Sequence, residues 1–325
     1  MSQSSIFDVV TLFLLLDIAD EGSLTGGADL AGMTASAASQ RISKLERSIK
    51  QPVLVRMPRG VSLTAAGEVL VSRARLFRRE MRAARGDLEA LRGLQHGTVR
   101  LGSFPTVSAS ILSEALKEFH LRWPDIDVQV RSANRPQLID MLNSSEVEMA
   151  TLWSYEWTED TERSLTLQPL MDDPTMLLLP ADREVSQEGA LLGSLRSQRW
   201  IVRAADHPAA EALYRSCHSA GFEPNVVYQA HDYQEIAAMV AAGVGIAMVP
   251  RLAVDRNRPD VQAVSFSATD QVPTRSIYIA TLARRTYTPA MDAVAKALHW
   301  AADRTQQSWT EAAPDGEPVR APHAL

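Results

Sequence analysis

One cysteine, Cys217, stands in the whole chain of 325 residues. No intrachain disulfide, cysteine-cluster zinc site or two-thiol redox switch can therefore be built within one chain, and a reducing, cytoplasmic home is expected. Long hydrophobic runs are also missing. The longest, from Ile236 to Pro250, contains Gly243 and Gly245 and falls short of the roughly 20 apolar residues that a spanning helix needs. The apolar run Leu12–Leu16 lies between Asp8 and Asp17 with no basic segment before it, which is not the pattern of a signal peptide. The seven histidines are scattered, and none makes the His-x-x-x-His spacing of a helical metal site. No Walker loop, Gly-x-Gly-x-x-Gly or Gly-x-Ser-x-Gly occurs. Neither a metal, nor a cofactor, nor a catalytic residue is expected, and the absences point away from an enzyme.

A basic excess is lacking too. The net charge is −6, which taken as an average speaks against nucleic acid. The average hides a division. Residues 1–96 hold 13 Lys+Arg and 10 Asp+Glu, a balance of +3, and the remaining 20 and 29 give −9. From Thr34 to Gly60 stand Arg41, Lys44, Arg47, Lys50, Arg56 and Arg59 against Glu46 alone. A small basic segment joined to a larger acidic body implies two jobs. Hydrophobic residues at 46% and charged residues at 22% are ordinary for globular domains, and the length suits two or three of them.

The basic segment reads as helix, short helix, turn, helix. Ile6, Val9, Val10, Phe13, Leu14, Leu16 and Ile18 repeat at helical steps until Asp20-Glu21-Gly22-Ser23 breaks them. Ser23 or Thr25 caps a short helix through Leu30. Gly26, Gly27, Ala28 and Ala31 are small where two helices must approach. After the turn Gly32-Met33, Thr34 or Ser36 caps a third helix with Ala38, Ile42, Leu45 and Ile49 inward. Its outer face offers Thr34, Ala35, Ser36, Ala37, Ser39 and Gln40 near the start, then Arg41, Ser43, Lys44 and Arg47. Short polar groups at the N-terminal end followed by cations suit base edges and phosphates, respectively. Val53–Arg56 and Gly60–Leu63 then read as a two-stranded wing, with Arg56 on it and Arg59 at its tip for a phosphate or the minor groove. An ordinary three-helix bundle with a solvated basic face is the alternative. The wing and the spacing of the turn favour DNA.

Leu12-Phe13-Leu14, Glu21-Gly22-Ser23-Leu24-Thr25, Ala28-Asp29-Leu30, Ser39-Gln40-Arg41-Ile42, Lys44-Leu45-Glu46, Leu54-Val55-Arg56 and Leu63-Thr64-Ala65-Ala66-Gly67 agree in spacing with one known pattern. They resemble the N-terminal signature of LysR-type transcriptional regulators. The chain departs from it at Ala35-Ser36, where Gln-Pro is common, at Gln40, where a basic residue is common, and at Gly26-Gly27, where bulkier residues are usual. The first two bear on base preference rather than on fold.

From Thr64 to about Gly93 no proline occurs. Leu70, Ala74, Phe77, Met81, Ala84, Leu88 and Leu91 step by four and three, the a/d seam of a coiled coil. Dimerisation through this helix is expected, as in the linker helix of the LysR family, with a long helix packed on its own domain as the alternative. Arg73, Arg75, Arg78, Arg79, Arg82 and Arg85 flank the seam and mostly solvate the exposed face. Two readers on a dimer would hold two half-sites of double-stranded operator DNA.

Beyond Gly97 strands and helices alternate, which predicts α/β architecture with mostly parallel sheets in two subdomains. Gly97–Gly102, Phe119 with Trp123-Pro124, Leu178–Asp182, Ala220-Gly221-Phe222 with Pro224, and Val240–Pro250 resemble the LysR effector region, which looks like a periplasmic binding protein. The resemblance covers about residues 6–303. It implies a winged helix-turn-helix at 1–63, a linker helix at 64–94 and an effector domain at 97–303. The latter would divide into subdomain I (97–167 and 273–303) and subdomain II (168–272), crossed near Gln168 and again near Pro273. Residues 304–325, with Pro314, Pro318 and Pro322, read as a flexible tail. Ligands of open α/β sheets sit beyond the carboxyl ends of strands. Those ends, together with the family's pocket positions, point to Ser103, Pro105, Thr106, Asn134, Arg135, Trp153 and Arg203 for a small anionic, aromatic-leaning metabolite. Arg135 and Arg203 are of the type that pairs carboxylates, and solvated surface charge is the competing role of each. Cys217-His218 reads as structural rather than as a nucleophile and base. The rivals to a regulator are an exported solute-binding protein, an enzyme using Cys217-His218, and a protein-interaction adaptor. No membrane partner is expected, and self-association as a dimer or tetramer is.

Overall fold

The computed structural model describes residues 8–58, 60–90, 97–158, 164–183, 189–204, 207–255, 257–283 and 285–311. Arg59, Leu91 and most of the expected tail lie outside them. The chain divides into two compact units, one of Met1–Leu94 with Ile139–Val147, the other of Gln95–Leu138 with Glu148–Leu325.

The first unit opens with helix α1 (Val9–Glu21), whose N-cap Asp8 accepts the Val10 amide. Helix α2 (Leu24–Leu30) is capped by Ser23, which accepts from Gly26 N at 3.0 Å. Helix α3 (Ala35–Ile49) is capped by Thr34, which accepts from Ala37 N at 3.2 Å. Such caps satisfy amides that have no partner inside the helix. Leu14, Leu15, Ile18, Ala28, Ala38, Ile42, Leu45 and Val53 form the core. Gly27 explains the departure from bulkier residues in α2: a Cβ there would lie 2.5 Å from Ile18 N, so the backbones of α1 and α2 touch. Strands β1 (Leu54–Met57) and β2 (Gly60–Leu63) form the antiparallel wing, with Leu54 opposite Leu63. Gly60 has φ +110, and Gly22 O, which accepts the Val61 amide, lies 2.3 Å from where its Cβ would be. Only glycine fits that position. Glu46 Oε1 accepts Val53 N at 2.8 Å and fixes where the wing leaves α3. Helix α4 (Ala65–Ala90) follows, its entry set by Thr64, which accepts Gly67 N and donates to Pro52 O.

The second unit begins with β3 (Gly97–Ser103). The short turn α5 (Pro105–Val107) runs through a π turn (Ser108–Leu112) into α6 (Ser113–Arg122). Then come β4 (Ile126–Ser132), α7 (Arg135–Asn143), β5 (Met149–Ser154), β6 (Leu165–Asp173), β7 (Thr175–Pro180), β8 (Arg199–Arg203), α8 (Pro208–Ser219), β9 (Asn225–Ala230), α9 (Tyr233–Ala241), β10 (Ile246–Pro250), β11 (Val261–Ser265), β12 (Arg275–Leu282) and α10 (Pro289–Glu311). Two five-stranded sheets result, β4-β3-β5-β12-β6 in lobe I and β11-β7-β10-β8-β9 in lobe II.

Four expectations need correction. The sheets are mixed, not mostly parallel: β12 runs antiparallel to β5 and β6, and β7 antiparallel to β10 and β11. The strands that carry the chain between lobes impose this. The first crossing falls at Pro174 rather than Gln168, because Gln168 is paired with Ile279 inside β6. The chain returns between β11 and β12, and Thr175 Oγ1 donates to Pro273 O at 2.6 Å, so both crossings share one hinge. Two strands, β6 and β11, break the expected alternation: β6 runs on to β7, and β11 to β12, with no α-helix between. Each is an edge strand, and β6 carries Pro169 beside a bulge, which blurs the alternating pattern. Finally, α10 continues past Ala301 to Glu311, so residues 304–311 are helix and not tail. Its last turn meets lobe II, where Arg251 Nη2 donates to Trp309 O and the guanidinium lies 4.7 Å from the Trp309 ring.

Candidate DNA-binding surface and inter-lobe site

On α3 the residues Ser36, Ala37, Gln40, Ser43, Lys44 and Arg47 are exposed, while Ala35 and Ser39 are half-buried. Thr34 spends its hydroxyl oxygen on the cap. Arg41 is turned back: its Nη1 donates to Asp8 Oδ2 at 2.7 Å and to Thr11 Oγ1 at 3.4 Å. It ties α3 to the first turn of α1. Asp8 is desolvated there, but Thr11, the Val10 amide and Arg41 outweigh that and hold its carboxyl below the ordinary range. Arg56 on β1 is exposed, between the exposed apolar Val55 and Met57. The outward set therefore joins short polar groups near the start of α3 to cations farther along it and on the wing.

The expected seam of α4 divides in two. Ala74 is fully buried and Leu70 half-buried in the unit's own core. Phe77, Met81 and Leu88 are 50%, 63% and 65% exposed, and Ala84 is exposed. Two flanking arginines hold the helix to α1. Arg78 pairs with Asp17 at 2.8 Å, donates to Phe13 O and lies over the Phe13 ring, and Arg75 reaches Asp20 at 3.1 Å.

In the second unit the residues expected from strand ends fall into two groups. Ser103 is buried, and its Oγ accepts from Thr151 Oγ1, so it belongs to the packing of β3 on β5. Asn134 caps α7: its Oδ1 accepts Gln137 N while its own amide donates to Gln137 Oε1. Pro105 opens the exposed first turn after β3. Thr106 and Trp153 meet a centre that no local sequence pattern marks, Arg275; Arg203 adjoins it through Tyr233, and Arg135 reaches the backbone of Trp153. Arg275, at the start of β12, is 3% exposed and pairs at 2.5 Å with Asp173, the last residue of β6, which is 0% exposed. The same Nη2 donates to Thr106 Oγ1 at 3.0 Å. Asp173 Oδ1 accepts Leu252 N from lobe II, so the pair stitches the hinge. Burial pushes the Asp173 carboxyl up, and the Arg275 guanidinium and the Leu252 amide pull it back.

Aromatic rings surround the guanidinium. Phe104 and Trp153 lie 5.1 and 5.7 Å from it. Trp153 stacks on His207 of lobe II at 5.8 Å and meets Tyr155 edge-on, and Tyr155 stacks on Trp157, over which Arg215 of α8 sits at 4.8 Å. Arg135 Nε donates to Trp153 O. Arg203 lies 5.0 Å over the ring of Tyr233. Burial raises the Tyr233 and Tyr155 hydroxyls, and Arg275 lowers both, Arg203 adding to it at Tyr233. Cys217, by contrast, is buried in the core of lobe II, where desolvation pushes its thiol up to about 12. Among the described residues no group of His, Cys, Asp and Glu could hold a metal, and no helix is long and apolar enough to cross a membrane.

A winged helix-turn-helix with a polar and basic exposed face, a long helix after it, and two α/β lobes joined by a double hinge are the parts of a DNA-binding transcriptional regulator. Comparison with known proteins names the family. The model for the LysR substrate binding domain matches residues 92–302, and that for bacterial regulatory helix-turn-helix proteins of the lysR family matches residues 10–68. The chain belongs to the LysR family of DNA-binding transcriptional regulators, and both family and fold are regulatory rather than catalytic. The hydrogen peroxide-inducible genes activator of Pectobacterium carotovorum subsp. carotovorum is 26% identical over 245 residues, which cover 75% of this chain and 80% of that one. Full-length OxyR from Pseudomonas aeruginosa has the same fold, with a TM-score of 0.69 at 20% identity, covering 90% of this chain and 94% of that one. CbnR complexed with its target DNA gives 0.53 at 17%, covering 91% and 100%.

Proposed function

We propose that the protein is a sequence-specific regulator whose operator binding is set by a small molecule held between lobes I and II. The observation that carries this is the meeting of Thr106 and Trp153 with the buried pair Arg275–Asp173 at the hinge, beside Tyr233 and the Arg203 that lies over its ring. A group that touches both lobes there biases how far they close. On this reading Ser36, Ala37 and Gln40 approach base edges, while Lys44 and Arg56 approach phosphates. Arg41 positions α3 instead of touching DNA. Phe77, Met81, Ala84 and Leu88 form the face that a second copy covers, which gives two reading heads for a two-part operator. CbnR, of the same fold, is known bound to target DNA. A reducing cytoplasm fits the single buried thiol.

The direct test is selection of DNA fragments by the purified protein, with sequencing of what it retains. A two-part motif that Gln40→Ala changes and Arg56→Ala merely weakens is the expected result. Failure to enrich any sequence would end the proposal.

A further inference from the structure

The inter-lobe site holds more donors than acceptors, and the surplus bears on what it binds. Among the described residues its carboxylate is Asp173, already engaged, one oxygen by Arg275 and the other by Leu252 N. Arg203 faces the Tyr233 ring rather than a carboxylate, and its Nε is out of water with no hydrogen-bond partner. The Tyr233 hydroxyl and Arg275 Nε are buried and unpartnered as well. Thr106 Oγ1 accepts from Arg275, which leaves its own O–H to donate. A buried donor without an acceptor is costly, and a native site rarely leaves several in one place unless a ligand uses them. The walls add a second constraint. Phe104, Trp153, Tyr155 and His207 present flat rings, so the body of the ligand is apolar and planar.

We infer that the site takes a small planar organic carboxylate, with Arg203 as its counter-charge and the hydroxyls of Tyr233 and Thr106 as further donors. This rests on the reading of the lobes as an effector site. It also separates this chain from the peroxide-inducible activators it resembles. A thiol that reduces peroxide must be an accessible thiolate, and Cys217 is a buried thiol.

The test uses the full-length protein with sodium benzoate, benzamide, sodium phosphate and hydrogen peroxide at matched ionic strength, read by thermal unfolding and calorimetry. A ligand bound only by the native state raises Tm with concentration. Benzoate is expected to do so, and the other three are not. Arg203→Gln should weaken benzoate up to about a hundredfold and Tyr233→Phe about tenfold, the scale of hydrogen bonds to charged groups. No benzoate response up to high millimolar concentration overturns the inference. So does phosphate matching benzoate, or a peroxide response that Cys217→Ser removes. If benzamide binds as well as benzoate and Trp153→Phe weakens both, the effector site stands and the carboxylate falls. If no response depends on Arg203, Tyr233 or Trp153, both fall together.

Discussion

Arg275 and Asp173 show what a single residue can hide. They stand 102 positions apart, and each alone reads as a solvated charge in a polar stretch. Only the return of β12 beside β6 places them opposite one another and takes both from water. Thr106, Trp153 and Arg203 can be singled out from sequence as strand-end residues, but the ion pair near them cannot, since no local pattern encodes a contact of that span. Arg275→Met should destabilise the fold by about 3–5 kcal/mol, because it leaves a buried carboxylate without a partner. Arg275→Met with Asp173→Leu should recover much of that loss. A denaturant-unfolding cycle checks this, and a double variant as unstable as the single one would mean that the pair is not the cause. Cys217 makes the opposite case, since its sequence context already marks it as structural. Its thiol titrates higher folded than unfolded, so its burial stabilises fully below the unfolded value and that contribution is lost as pH rises towards about 12. At pH 8 the native protein should resist alkylation by iodoacetamide except at its rate of unfolding. Rapid modification under native conditions would contradict the buried thiol.

Among the elements, α3 and α4 mark how far periodicity reaches. The inward stripe Ala38, Ile42 and Leu45 and both caps were readable, because spacing and side-chain type determine them. The partner of Arg41 was not. An arginine beside the stripe can face solvent or its neighbour, and here Asp8 and Thr11 capture it across from α1. Arg41→Ala should therefore lower Tm by a few degrees, and its effect on DNA affinity should be no larger than that stability loss accounts for. An exposed pair of this kind contributes about 0.2–1 kcal/mol. In α4 the four-three repeat was visible, but a repeat does not say what covers each part. Leu70 and Ala74 belong to the core of their own unit, and the exposure begins at Phe77. Phe77→Glu with Met81→Glu should leave the helical fold intact by circular dichroism and give monomers by sedimentation. Persistence of dimers would place the main self-contact elsewhere.

For the whole molecule, charge and hinge act in different parts. The reading head carries the basic excess and the lobes the acidic one, so only the head should meet phosphate. Each phosphate contact releases condensed counterions, and the logarithm of affinity falls with the logarithm of salt by about 0.9 per contact. Lys44→Ala and Arg56→Ala should each flatten that slope by about one, whereas charge changes on lobe I or II should leave it unaltered. The hinge has its own signature. Both crossings lie together at Pro174 and Pro273, and α10 spans from lobe I to Arg251 of lobe II through Trp309. A helix anchored in one lobe and clasping the other limits how freely they rotate about two adjacent strands. Trp309→Ala removes the ring beneath Arg251 and leaves the sheets untouched. Amide exchange should then quicken in residues 251–254 and around 173–175, while the core strands β3 and β8 keep their protection. Unchanged exchange at the hinge would mean that the two crossings alone hold the lobes, and that the last turns of α10 serve some other contact.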